Sequence, residues 1–205
     1  MKIGILGAGK IGGTVGRLWS KAGHQLRFGT RHPEQVAGLA AELGASAGTP
    51  AEAVAFADVV LLAVPLKAVP DFAKSARFSG RVVLDATNAY SQRDDKLAED
   101  ALAHAGGSSA WIAEKLAGAQ VVKAFNTVSS GTLASEAHRK GEGVAIPLAG
   151  DDAKAVRVAE QLVRDAGFDP VAVGPLAAGE RLQPGTKVYN TGMSAKAVRR
   201  ALGLT

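Results

Sequence analysis

Three glycines, Gly7, Gly9 and Gly12, are spaced G-A-G-K-I-G between the apolar run "KIGIL" at 2–6 and a segment of helical periodicity. In a strand–turn–helix unit of about 27 residues this spacing can cradle a diphosphate. Gly7 permits the tight turn, Gly9 lets a pyrophosphate approach the backbone, and Gly12 lets helix pack on strand. The unpaired N–H groups and the positive helix end would then face the anion, with Lys10 and Ile11 adding backbone contacts. The plainer alternative is a bare turn. An acid about 20 residues further on would favour NAD by bonding the ribose 2′-OH. The chain has "FGTRHPE" there instead. Thr30 and Arg31 suit a 2′-phosphate, a hydroxyl beside a guanidinium, which favours NADP(H). Thr30 could equally cap the following helix and Arg31 could be a solvated charge, while His32 could stack on adenine or point into water.

Other candidates follow from the rule that ligands of open parallel sheets sit outside the carboxyl ends of the strands. "AVPL" places Val64 and Pro65 as an apolar wall beside the cofactor. "DATN" brings Asn88 within reach of a ribose or the nicotinamide. "KAFNTV" puts Phe125, Asn126 and Thr127 on the nicotinamide side, the last two positioning a reactant rather than transferring protons. The competing reading is local: Pro65 as a strand stop, and Asn88 or Asn126 bonding its own loop.

Elements that could hold these residues recur along the chain. Short Val-, Ile- and Leu-rich runs lie at 2–6, 24–28, 58–64, 81–86, 119–125, 143–149 and 169–174, without clean alternation, as strands buried on both faces should be. Between them come helical stripes such as Ile11, Val15, Leu18, Trp19 and Ala22. The alternation predicts an α/β fold: a Rossmann-type, doubly wound, mostly parallel sheet with helices on both faces. The long connection at 87–118 reads as a polar loop, "NAYSQRDDKLAED", followed by a capped helix, "SSAWIAEKL". Residues 1–174 are expected to form the NADP-binding domain. Residues 175–205, irregular until a short helix at about 194–202, are expected to pack on that domain.

Composition narrows the classes. Cysteine is absent, which removes disulfides, thiolate metal sites and cysteine nucleophiles, and the four histidines are far apart. The net charge of +5 is scattered and aromatics are 5%, so nucleic acid is a poor partner and an anionic small ligand a good one. No apolar run is long enough for a membrane helix, and no signal peptide is evident, so a soluble cytoplasmic protein without a membrane partner is expected.

Taken together, "MKIGILGAGKIG", "FGTRHPE", "AVPL", "DATN", "GAQVVKAFNTV", "PLAGDDAKAVRVAEQLVRDAGFDPVAVGPL" and "RLQPGTKVYN" resemble the NADPH-dependent coenzyme F-420 reductases, or F-420-dependent NADP oxidoreductases. They are also similar to the cytosolic NADPH-binding part of six-transmembrane metalloreductases, which use NADPH and a flavin. The resemblance implies hydride transfer between the nicotinamide and a deazaflavin (coenzyme F-420) or a flavin such as FMN, and a homodimer. The chain departs from the pattern at Asn126, where the "KALHT" version has histidine, and at Ala177 and Ala178, where serines are usual near the second ring. Three rivals remain: an NADP(H) sensor without catalysis, a reductase of a small carbonyl or imine, which needs a general acid not visible at a strand end, and a nucleic-acid binder. Lys123, inside a predicted strand, is not expected to be catalytic.

Overall fold

Strands covered on both faces need apolar side chains at nearly every position, and the Val, Ile and Leu runs provide them. The computed structural model describes residues 1–204. It begins β1 (Lys2–Leu6), α1 (Lys10–Lys21), β2 (Gln25–Gly29), α2 (Ala37–Glu42), β3 (Ser46–Gly48), α3 (Pro50–Phe56), β4 (Val59–Leu62), α4 (Val69–Ser75) and β5 (Val82–Asp85). It continues α5 (Ser91–Asp94), α6 (Lys96–Ala103), α7 (Gly107–Lys115), β6 (Gln120–Lys123), α8 (Ser130–Ser135), β7 (Ala145–Gly150), α9 (Ala153–Asp165) and β8 (Asp169–Ala172). A 3-10 segment, Leu176–Leu182, precedes α10 (Ala195–Leu202).

The strands form one sheet in the order β3-β2-β1-β4-β5-β6-β7-β8. Pairing is parallel from β3 to β6. It reverses between β6 and β7, with Lys123 opposite Ala149, and is parallel again between β7 and β8. This is the Rossmann-like architecture expected, with the order switching between β1 and β4.

On one face, Ile3, Ile5, Phe28, Val122 and Phe125 pack against Val15 and Trp19 of α1 and Leu162 of α9. Trp19 meets Phe125 edge-on at 5.6 Å, and its Nε1 donates to the Leu162 carbonyl at 2.8 Å, so this large ring is both packed and satisfied. On the other face, Leu62, Val83, Val54, Phe72 and Ile112 join α3, α4 and α7 to the sheet. The tail closes a smaller core, in which Leu182, Val188, Val198 and Leu202 cover Ala145, Ala149 and Val171.

Three expectations about the elements need correction. An eighth strand, β3, was not foreseen, because "SAG" carries none of the apolar signal of the others. The segment "NAYSQRDDKLAED" is largely helical, forming α5 and α6. Their buried side is small, Ala98 and Ala101, so polar residues dominate the pattern. Helix α7 exists but has no side-chain cap; its entry is made by Gly106 and Gly107 at positive φ. Its serines are buried, and Ser109 Oγ donates to Asp85 Oδ2 at 2.8 Å.

Candidate functional site

Each glycine of the turn does a different job. Gly7 has φ +95°, and a Cβ there would lie 2.4 Å from the Ala63 carbonyl oxygen. A Cβ on Gly12 would lie 1.9 Å from the Gly7 carbonyl oxygen, so α1 can rest on the turn only as glycine. Around Gly9 a Cβ would meet nothing within 4 Å. Gly9 is bare toward open space, and that space is a cavity of about 430 Å3. It also occupies the N-cap of α1 without a side-chain cap, and the first turn has no acid. The first-turn N–H groups are therefore left to an incoming anion.

From Gly9, Lys10 and Ile11 the cavity runs past Val64 and Pro65, at the end of β4, to Asn88, Phe125 and Asn126, beyond β5 and β6. All eight were expected at the site. Gly7 and Gly12 shape the turn from behind. Thr127 is a correction: it is 1% exposed and does not line the cavity, being turned into the protein with its carbonyl accepting from the Asn190 N–H at 2.6 Å. Ala177 and Ala178 also lie off the cavity; a Cβ on Gly106 would meet Ala177.

Thr30 and Arg31 stand outside the main cavity, past the end of β2. Thr30 Oγ1 accepts from the His32 N–H at 3.2 Å, forming a local turn rather than a helix cap, and His32 faces Glu34 at 3.4 Å. Arg31 borders a separate apolar notch of about 40 Å3 with Pro50, Ala68 and Phe72. It is 72% exposed and only loosely paired with Asp71 at 3.9 Å. Releasing so exposed a pair costs little, so the guanidinium is free to take a phosphate.

Sequence reasoning missed several cavity residues, four of them with large polar side chains. Tyr90 and Arg93 come from α5 and its approach, in the segment read as a loop, and Tyr189 and Asn190 come from the tail. The two phenol oxygens share a short hydrogen bond. Arg93 donates to the Asn88 carbonyl at 2.6 Å and to Asp94 at 2.7 Å, and its guanidinium lies 5.0 Å from the Tyr90 ring centre. Burial alone would raise the Asp94 carboxyl. Hydrogen bonds from Arg93 and from the backbone of Tyr90 and Lys67 outweigh it and hold the group below the usual carboxylate range. Burial, then the neighbouring Tyr90, pushes the Tyr189 phenol well above its ordinary value.

Asn126 binds the walls together. Its Nδ2 donates to the Leu182 carbonyl at 2.6 Å and to Asn88 Oδ1 at 3.1 Å. Phe125 before it has φ +62°, a left-handed conformation costing a bulky residue about 1–3 kcal/mol, stored where the chain leaves β6. Asn126 Oδ1, Thr87 Oγ1 and Thr127 Oγ1 are buried without a partner among the described residues. The first two belong to cavity residues, so the wall suits a polar ligand. Beneath it Lys123 and Asp85 form an ion pair at 3.0 Å with both side chains fully buried. Lys123 also donates to the Thr87 carbonyl at 2.6 Å, which makes it a brace for the strand ends. Among the described residues no group of three His, Cys, Asp or Glu could hold a metal, and no helix is long and apolar enough to cross a membrane.

Residues 2–89 match the family model described as NADP oxidoreductase coenzyme F420-dependent. Metalloreductase STEAP3 of Rattus norvegicus is 26% identical over 183 residues, which is 89% of this chain but 36% of that protein. The chain thus spans about a third of that curated relative's length. Among solved structures, the hypothetical protein SMa0349 from Sinorhizobium meliloti superposes with a TM-score of 0.80 at 27% identity, covering 95% of both chains. A protein assigned as an F420-dependent NADP-reductase from Arthrobacter sp. FB24 gives 0.77 at 21% identity, covering 95% of this chain and 99% of that one. The resemblance to both families stands. The family model itself ends at residue 89, before "KAFNT" and the tail.

Proposed function

We propose that this chain, an NADP-dependent oxidoreductase by the family that residues 2–89 match, transfers hydride between bound NADP(H) and a ring-shaped redox acceptor, either a deazaflavin such as coenzyme F-420 or a flavin such as FMN. One observation carries the reading: the uncapped glycine turn at Gly9 opens into the same cavity that reaches Asn88 and Asn126. A dinucleotide laid along it would rest its diphosphate on the first turn of α1 and extend its 2′-phosphate toward Thr30 and Arg31. Its nicotinamide would lie toward Asn88, Phe125 and Asn126. When bound, NADPH supplies the hydride; the protein's part is positioning. Ile11, Val64 and Pro65 exclude water from one side. Asn88 and Asn126, tied to each other and to Leu182, fix the opposite wall.

The test is an NADPH titration of the purified protein, followed by an absorbance assay with coenzyme F-420 and, separately, FMN. Binding followed by turnover upholds the proposal. Binding without turnover on either acceptor favours a sensor or a smaller substrate, and no binding removes the dinucleotide reading. A small carbonyl or imine remains a second reading for a specific reason: the phenol hydroxyls of Tyr90 and Tyr189 bring to the cavity the acid that the strand ends lack.

A further inference from the structure

The orientation of both amides in the cavity wall follows from one carbonyl. The Leu182 oxygen can only accept, so the side-chain atom of Asn126 lying 2.6 Å from it is the amide nitrogen. The second hydrogen of that nitrogen points to Asn88, whose nearer atom at 3.1 Å must then be its oxygen. Asn88 therefore turns its own nitrogen the other way, to the Asn126 carbonyl at 3.0 Å and the Tyr189 hydroxyl oxygen at 3.4 Å. Tyr189 receives a hydrogen from Asn88 on one lone pair, which leaves its own hydrogen available for the short bond to Tyr90. With Tyr189 as the donor, the Tyr90 oxygen accepts and the Tyr90 hydrogen is left over at a residue that lines the cavity.

We infer that Tyr90 is the proton donor to the acceptor, held in the donating orientation by the chain Leu182–Asn126–Asn88–Tyr189. The inference rests on the NADP(H) reading above and narrows the acceptor class. The acceptor's hydride-accepting atom, a carbon in a deazaflavin, ketone or imine and a ring nitrogen in a flavin, is double-bonded to, or conjugated with, an oxygen or nitrogen. The acceptor gains a C–H or N–H bond with the hydride and its electron pair. The displaced π electrons move to the heteroatom, which takes the Tyr90 proton. NADPH leaves as NADP+. Tyr90 is reprotonated by Tyr189, and Tyr189 by solvent. Arg93, 5.0 Å from the Tyr90 ring centre, places a cation where negative charge develops as the proton departs. Two further features fit a relay. Burial keeps the Tyr189 phenol protonated, as a reserve donor must be. Arg93 is itself fixed by the buried Asp94, so the cation does not swing away.

The test compares the wild type with Tyr90→Phe and Tyr189→Phe, after urea unfolding has shown all three folded. Three readouts are taken: NADPH binding by fluorescence, turnover with coenzyme F-420, FMN and a small ketone, and a neutron diffraction map of the deuterated protein. We expect Tyr90→Phe to bind NADPH as wild type does and to lose about 100- to 10,000-fold in kcat, the range of general acid catalysis, with KM for NADPH unchanged. Tyr189→Phe, which leaves the donor present but unoriented, should lose less. In the map the Tyr189 deuteron should lie on the line to Tyr90 and the Tyr90 deuteron should face the cavity. Turnover of Tyr90→Phe equal to wild type overturns the inference. If none of the acceptors is turned over, the map decides, and a Tyr90 deuteron directed at Tyr189 overturns it equally. Failure of the wild type to bind NADPH overturns the parent reading, and the binding arm shows that separately.

Discussion

Two substitutions four residues or fewer apart should separate the cradle from the scaffold: Gly9→Val and Gly12→Ala. Gly9 has φ −72° and ψ −162°, which valine adopts without strain, and no atom lies within 4 Å of its missing Cβ. Only the modest N-cap preference is lost, so stability should change by less than about 1 kcal/mol. Yet the new side chain would stand in the cavity, in front of the first-turn N–H groups. Losing two hydrogen bonds to a charged diphosphate, at about 1.5–3 kcal/mol each, weakens NADPH and NADH alike by at least about 100-fold. Gly12→Ala should do the reverse. Its Cβ would lie 1.9 Å from the Gly7 carbonyl oxygen and 3.2 Å from Ile5. Backbone cannot step aside as a side chain can, so the overpacking should cost at least about 1–3 kcal/mol. Urea unfolding and nucleotide titration on both variants suffice. A Gly9→Val protein that binds NADPH normally, or a Gly12→Ala protein as stable as wild type, would refute the assignment of separate tasks.

Arg31→Ala should weaken NADPH by about 10- to 100-fold, the value of a charge-assisted phosphate contact, and leave NADH unchanged; equal loss for both would remove Arg31 from the 2′-phosphate site. Lys123→Met should cost about 3–5 kcal/mol in urea unfolding, because it strands the fully buried Asp85 carboxylate; an unchanged midpoint would show that Ser109 and the Thr87 N–H suffice for it. Asp94 is held below the usual carboxylate range, so its stabilisation is complete at neutral pH. It begins to fade as pH falls below the ordinary carboxylate value and is gone below the native one. Asp94→Asn should therefore flatten the acid limb of stability against pH, and parallel limbs would disprove that contribution.

The legible parts of the protein were those whose signal is local. Strands sealed on both faces leave unbroken runs such as "VVLL", and the G-A-G-K-I-G turn carries its geometry in consecutive residues. β3 was invisible because three small residues at a sheet edge have little to bury. The helical character of 91–103 was hidden because Asp94, the residue that ties α5 down, is a buried charge and looks like surface in a sequence. Asn126 was placed correctly in the cavity, but its neighbour Thr127 was not, since a kink at Phe125 makes alternation useless there. Tyr90 and Tyr189 are 99 positions apart, and no periodicity connects them. The paired phenol hydroxyls, the acid that a carbonyl or imine reductase needs, come together only when the tail is folded.

The reversal between β6 and β7 explains how the tail reaches the cavity at all. In parallel succession a seventh strand would end level with its neighbours and leave the carboxyl edge of the sheet open to water. Running backwards, with Lys123 at the end of β6 facing Ala149, β7 has four residues, Ala145 to Leu148, that overhang that edge like a parapet. The tail leans against this overhang: the Ala145 N–H donates to Met193, and the Asn190 N–H to Thr127. Tyr189 is thereby delivered to the cavity mouth by strands that carry no part of the glycine cradle. The glycine cradle and Tyr90 are thus hung from the parallel strands and Tyr189 and Asn190 from the reversed ones, so sequence change in β7, β8 and the tail can re-cut one wall of the cavity while the cradle stays intact.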